Sequence, residues 1–156
     1  MARAVNDLVA MHRILVCLDA SPRAPMVLAA AADLAKRTGA RLCLLRTVGI
    51  PPELDKLVSV QQGADLIETM TARAKDELAT MARNVPPAAI EGLHIHVGTP
   101  WDTICREAKT LECDLVVLGS HGYSGFDRVL GTTAAKVVNH CDRSVLVVRD
   151  PARSTS

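Results

Sequence analysis

Aromatic side chains are almost missing from this chain. Of 156 residues only Trp101, Tyr123 and Phe126 carry a ring of that kind. So few rings leave no base-stacking platform for single-stranded nucleic acid. They also require a core of Leu, Val, Ile and Ala, which raise the hydrophobic share to 49%. An excess of one charge is missing as well: 18 basic residues face 17 acidic ones, for a net charge of +1 with no basic run. A DNA, RNA or anionic-membrane partner is therefore not expected. No apolar run approaches the length of a membrane span, and the opening MARAVNDLVAMHR lacks the apolar stretch of a signal peptide. Cys17, Cys43, Cys105, Cys113 and Cys141 form no CxxC or CxxH pair. Free thiols in or beside apolar runs behave as small hydrophobes and indicate a reducing compartment. A cytoplasmic location is the expectation.

What is present is an alternation of strand and helix patterns in a length suited to one domain. A chain of this size buries about 70% of its unfolded surface without staples. Residues 1–11 read as an N-terminal extension, 12–150 as the domain and 151–156 as a tail. The apolar run from Arg13 to Asp19 predicts a first strand. Ser21-Pro22 supplies a cap and a first-turn proline for an alanine-rich helix that stops at Gly39. Arg41–Val48 predicts the second strand. A connection from Gly49 to Gly63 leads to a helix ending near Arg83. The third strand, Leu93–Val97, alternates apolar and polar residues as a half-exposed strand does. Thr99-Pro100-Trp101-Asp102 opens the next helix, Asp114–Gly119 is the fourth strand, a helix starts near Thr132, and Ser144–Arg149 closes the domain.

Such alternation implies an α/β fold: an open five-stranded parallel sheet with helices on both faces, Rossmann-like, in strand order 3-2-1-4-5. Strands one, two and four read as continuous apolar runs, as central parallel strands do. The alternating third strand belongs at an edge. The last strand also belongs at or near an edge yet is apolar on both faces. An uncovered apolar edge invites pairing, so a second copy of the chain is expected to cover it.

The segment from Gly119 to Thr133, GSHGYSGFDRVLGTT, leaves the carboxyl end of a central strand, where open α/β sheets hold ligands. Gly119 and Gly122 allow a tight turn and close backbone approach. Gly131-Thr132-Thr133 opens a helix whose free N–H groups and dipole attract an anion. The segment is neither a Walker A loop nor a GxGxxG fingerprint. On spacing alone, a phosphate cradle and an ordinary strand-to-helix turn are equally good readings.

Three pieces together resemble the universal stress protein family: ILVCLDAS at Ile14–Ser21, Gly119-x2-Gly122 followed by Gly131-Thr132, and HCDRSVLVVR at His140–Arg149. The likeness runs from about His12 to Arg149. Nucleotide-binding members carry Gly-x2-Gly, usually nine residues, then Gly-Ser or Gly-Thr; this chain has eight residues there, Tyr123 to Leu130. The resemblance implies ATP, or AMP or ADP, lying across the first and fourth strands with Mg²⁺ or Mn²⁺ on its phosphates. It places Asp19 near ribose and metal, and Cys17 and Thr47 around the adenine. Gly119, Ser120, His121 and Gly122 match the first phosphate turn, and Gly131, Thr132, Thr133 and Ala134 the helix start. Asp19 read by itself is either a ligand-facing carboxylate or a helix-capping acid.

No general base for phosphoryl transfer stands out, so no catalytic residue is assigned and binding with little or no hydrolysis is expected. The rival functions are a dimeric interaction module of the same fold, a slow ATPase and, more distantly, a flavin carrier. Elsewhere, His94 and His96 have a spacing that can bind metal but read as the solvated face of an edge strand. His140 reads as a histidine favourable to a helix C-terminus.

Overall fold

The structure, a computed structural model, describes residues 10–50, 59–120 and 130–150. Its elements in chain order are β1 (Arg13–Cys17), α1 (Ala24–Thr38), β2 (Arg41–Val48), α2 (Val60–Ala82), a 3₁₀ turn (Pro87–Ala89), β3 (Ile90–Val97), α3 (Pro100–Thr110), β4 (Leu115–Gly119), α4 (Thr132–His140) and β5 (Ser144–Val148). The strands form one five-stranded parallel sheet in the order β3-β2-β1-β4-β5, the architecture expected from the alternating pattern. β3 and β5 are its edges.

The sheet separates two apolar layers, because successive side chains of a strand point to opposite faces. Ile14, Val16 and Leu18 pack with Val27, Leu28 and Ala31 of α1 and Leu78 of α2. Leu15 and Val116 pack with Ile104 and Ala108 of α3 and Ala134 and Val137 of α4. The small alanine faces let helices approach the sheet closely, so aliphatic side chains fill the core without aromatic bulk. At the lower end of the sheet the Asp114 carboxylate accepts the N–H groups of His12 and Arg13 at 2.7 and 3.0 Å, fixing where β1 begins.

Three element starts differ from expectation by more than one residue, each for a local reason. Ser21 does not cap a helix beginning at Pro22; α1 begins at Ala24, with Arg23 as its N-cap residue. A start at Pro22 would put Pro25 at the fourth helical position, where its missing N–H loses a bond. Starting at Ala24 puts Pro25 in the first turn, where no N–H is needed. α2 begins at Val60 rather than after Gly63, because the Ser59 hydroxyl accepts the Gln62 N–H at 3.2 Å. Gly63 is then a buried first-turn residue. β3 begins at Ile90 instead of Leu93 and meets β2 with a register shift at Leu42/Cys43. Glu91 falls at that irregularity and ion-pairs Arg13 at 2.9 Å.

The far side of the sheet carries the Arg46–Glu77–Arg73 network. Glu77 accepts from Arg46 Nη2 and Arg73 Nε, both at 2.9 Å. The bond from Arg73 and the nearby Arg46 charge outweigh desolvation and hold the Glu77 carboxyl below its ordinary range.

Candidate functional site

β1 and β4 are neighbours in the sheet, but the chain leaves β1 towards β2 and leaves β4 towards β5. The strand order therefore reverses between them, which is where open α/β sheets bind ligands. The pairing of β1 with β4 ends at Val16↔Val117. Beyond that point β1 runs on with β2 to Cys17↔Leu45, and β4 runs on with β5 to Gly119↔Val148. The two strands part, and a cleft of about 470 Å³ opens between their carboxyl ends. That volume lies within the usual range of small-molecule sites.

Of the residues singled out in the sequence, Cys17, Asp19, Thr47, Gly119, Thr132, Thr133 and Ala134 all line this cleft. They come from β1 and the turn after it, β2, β4 and α4, so the fold brings together positions up to 117 residues apart (17 to 134). Ser120 and Gly131 stand at the base of the loop rather than in the wall: the Gly131 N–H donates to the Ser120 carbonyl at 3.2 Å. His121 and Gly122 lie outside the described residues, as does the rest of the loop through Val129.

Three helix starts surround the cleft, through Arg23 and Ala24 of α1, Pro100 of α3, and Thr132 and Thr133 of α4. They are not equivalent towards an anion. In α1 the Ala24 N–H already donates to Ser21 and the Met26 N–H to Arg23, while Pro25 has no N–H. α3 opens with Pro100 and carries Asp102 in its first turn. α4 has neither handicap. Its N-cap is Gly131, with no side-chain cap and no acidic residue in the first turn, and its first intrahelical bond joins the Ala135 N–H to the Gly131 carbonyl. The N–H groups of Thr132, Thr133 and Ala134 therefore have no intrahelical carbonyl to donate to. Together with the positive end of the dipole, they make α4, among the described helix starts at the cleft, the one suited to negative charge.

Asp19 stands on the opposite wall. One carboxylate oxygen accepts the Ser21 N–H at 2.9 Å, shaping the turn into α1. The side chain thus closes an Asx-type turn ahead of α1 without capping the helix, and it lines the cleft. Cys17 is half-buried, and desolvation first, then Cys141 and Cys105, push its thiol well up; it is a neutral wall atom. Among the described residues no three His, Cys, Asp or Glu side chains gather as a metal site. His96 instead pairs with the buried Glu107 of α3 at 3.2 Å, so the two-histidine spacing on β3 does not build a chelate.

Reasoning from sequence missed the apolar and cationic parts of the cleft: Arg23 and Val27 of α1, Leu45 of β2, and Pro100 and Ile104 of α3. A signal was present for two of them. Arg23 follows Asp19 by one short turn, and Pro100 marks a helix start at the same edge of the sheet. Val27, Leu45 and Ile104 look like any other core residues until the strands part.

The family model described as the universal stress protein family matches residues 11–149. The chain belongs to that family. Universal stress protein A homolog 1 of Coxiella burnetii is 28% identical to it over 141 residues, covering 88% of this chain and 97% of that protein. The universal stress protein UspA from Lactobacillus plantarum is 31% identical and superposes with a TM-score of 0.72, covering 90% of this chain and 99% of that one. A universal stress protein solved in complex with cAMP is 24% identical, with a TM-score of 0.61 over 90% of this chain and 98% of its own. The sheet order and helix placement are thus those of the family. No helix among the described residues is long and apolar enough to cross a membrane.

Proposed function

We propose that this universal stress protein binds an adenine nucleotide in the switch-point cleft, with the phosphates on the N-terminus of α4. The observation that carries the reading is the contrast among the described helix starts: Pro25 and turn bonds use up the first N–H groups of α1 and Asp102 sits in the first turn of α3, whereas α4 meets the cleft with three N–H groups lacking an intrahelical acceptor and no acid beside them. The wall formed by Val27, Leu45, Ile104 and Leu118 suits an apolar ring. Cys17 and Thr47 would flank the adenine, and Asp19 would face the ribose. Gly119 and Ser120 would lead into the phosphate turn with His121 and Gly122, and Thr132, Thr133 and Ala134 would receive the phosphates. That a related structure holds cAMP supports an adenine nucleotide.

ATP is the favoured ligand, with ADP and AMP as shorter alternatives, and Mg²⁺ or Mn²⁺ would accompany the phosphates. The residues fit such an ion in one respect: Asp19 is the only acidic side chain among the described residues lining the cleft. Mg²⁺ is commonly held by one or two carboxylates together with phosphates and water. Binding with little or no turnover is the reading, because no general base for phosphoryl transfer stands out in the sequence. The role that follows is nucleotide sensing in a cytoplasmic stress response, carried by residues 12–150 with 1–11 and 151–156 as extension and tail. Calorimetric titration of the full chain with ATP, AMP and cAMP, with and without Mg²⁺, tests it. Saturable heat with at least one of them is expected, and no heat with any of the three would overturn the reading.

The same proposal includes a homodimer paired through β5. This strand bonds β4 on one side only, and its Leu146 is exposed although large and apolar. Covering such an edge removes an aggregation hazard. Leu146→Glu should turn a dimer at micromolar concentration into a monomer in sedimentation while leaving the circular dichroism unchanged, because the side chain is already exposed in the single subunit. An unmodified chain that sediments as a monomer sinks this part.

A further inference from the structure

The layer between the sheet and helices α3 and α4 contains all five cysteines, with Cys43 and Cys113 buried in it and the other three packed against it. Cys17, Cys105 and Cys141 all pack on the cluster built around Leu15, Ile104 and Val137. Cys105 lies in the middle of α3, and Cys141 is the C-cap residue of α4. Cys141 perturbs the Cys105 thiol across the packed helices, and both residues are half-buried, so small solutes reach them. The helix contact that holds them is well defined. Trp101, one turn before Cys105, lies with its ring 5.1 Å from that of His140, and the Lys136 ammonium sits 5.7 Å from the same indole. Cys43 and Cys113 also perturb each other but are 2% and 0% exposed.

We propose that Cys105 and Cys141 form an oxidisable dithiol that a peroxide closes into an intramolecular disulfide. Two thiols on adjacent packed helices that share one apolar cluster have lost much of the entropy of meeting, so the second step of oxidation is effectively unimolecular. Cys105 is held protonated, its thiol pushed up to about 12 by burial first and then by Cys141. Cys141 is therefore the attacking sulfur. Its thiolate takes one peroxide oxygen, the O–O bond breaks, and the departing hydroxide leaves as water with a solvent proton. The Cys105 sulfur then attacks the resulting sulfenic sulfur, the S–S bond forms, and the second oxygen leaves as water carrying the Cys105 proton. In total two thiols lose two electrons and the peroxide becomes two waters. The high proton affinity of Cys105 makes the closing step faster in alkali.

The bond would tie α3 to α4, whose opening residues Pro100, Thr132 and Thr133 form part of the cleft wall. Its formation is independent of whether a nucleotide binds there.

The test uses the folded full-length chain treated with hydrogen peroxide, then alkylated after denaturation and digested with trypsin. The five cysteines fall on five different tryptic peptides, and the relevant two are 84–106 and 137–143. The expected result is that alkylatable thiols fall from five to three, with those two peptides joined at a mass two hydrogens below their sum and released by dithiothreitol. Cys141→Ser should leave its remaining four thiols alkylatable after the same treatment. The proposal is overturned if all five thiols survive, if the joined peptides are those of Cys43 and Cys113, or if Cys105 and Cys141 gain oxygens without becoming linked.

Discussion

Thr132→Asp is expected to weaken nucleotide binding about 10- to 100-fold, a loss of about 1.4–2.8 kcal/mol, while the chain becomes no less stable. The two effects have opposite signs because they draw on the same feature. Thr132 is the first residue of α4, follows an N-cap glycine that offers no side-chain acceptor, and is exposed at the cleft. A carboxylate there meets the positive end of the helix dipole, which stabilises the helix by about 0.3–1 kcal/mol. The same carboxylate occupies the anion's place and repels a phosphate approaching the free N–H groups. Isothermal titration with ATP and urea unfolding of the same preparation read the two quantities separately. A variant that unfolds at a higher urea midpoint and yet binds ATP as the original does would show that the phosphates do not sit on α4. Thr132→Ser keeps the hydroxyl and adds no charge, so it should bind within about threefold of the original, a difference below about 1 kcal/mol. A loss in the aspartate variant alone therefore belongs to the charge.

The architecture was largely legible because its determinants are local and repeated. Central strands such as Leu115–Gly119 are apolar throughout, the alternating residues around His94 and His96 mark an edge, and Gly39, Pro100 and Gly131 punctuate the helices where the structure ends or begins them. The misplaced boundaries came from competition between equally legitimate signals. Ser21-Pro22 and Arg23-Ala24-Pro25 both offer a helix start, and only the spacing of the second proline decides between them. The polar side of the cleft was legible for the same reason as the fold: Asp19 follows an apolar strand, and Thr132 and Thr133 open a helix after a glycine. Its apolar side was not, because what exposes Val27, Leu45 and Ile104 to a ligand is the divergence of β1 from β4 after Val16 and Val117, a three-dimensional event with no local signature. The Cys105–Cys141 pairing was hidden for a related reason, since 36 residues and one strand separate two side chains (105 to 141) that come together only when α3 packs beside α4.

Leu78→Ala should be the most damaging conservative truncation outside the cleft, costing about 2–5 kcal/mol as buried Leu→Ala changes do. α2 is 23 residues long, yet its buried residues are Gly63, Ala74 and Leu78. Leu78 is thus the only large side chain that this helix sinks fully into the core, where it is 0% exposed and joins Ile14, Leu42, Leu44 and Val85. Removing three carbons leaves a void at the one point where the helix is pinned, and the long exposed remainder of α2 provides little packing to collapse into it. Against a typical stability of about 5–15 kcal/mol the loss is large, and for a domain of this size it corresponds to a fall in Tm of about 5–15 °C. The urea midpoint should drop in proportion at an unchanged slope if the helix stays docked, and the slope itself should fall if α2 detaches before the rest unfolds. No described residue of α2 lines the cleft, so nucleotide affinity well below the melting temperature should stay within about twofold of the original, less than about 0.5 kcal/mol. A cost below about 1 kcal/mol would mean that α2 is held by its Glu77–Arg46 contact rather than by Leu78. A collapse of nucleotide binding in the stable folded variant would instead mean that α2 supports the cleft through the shared layer of Val16, Leu18 and Val27, which reaches from Leu78 to the residues beside Asp19.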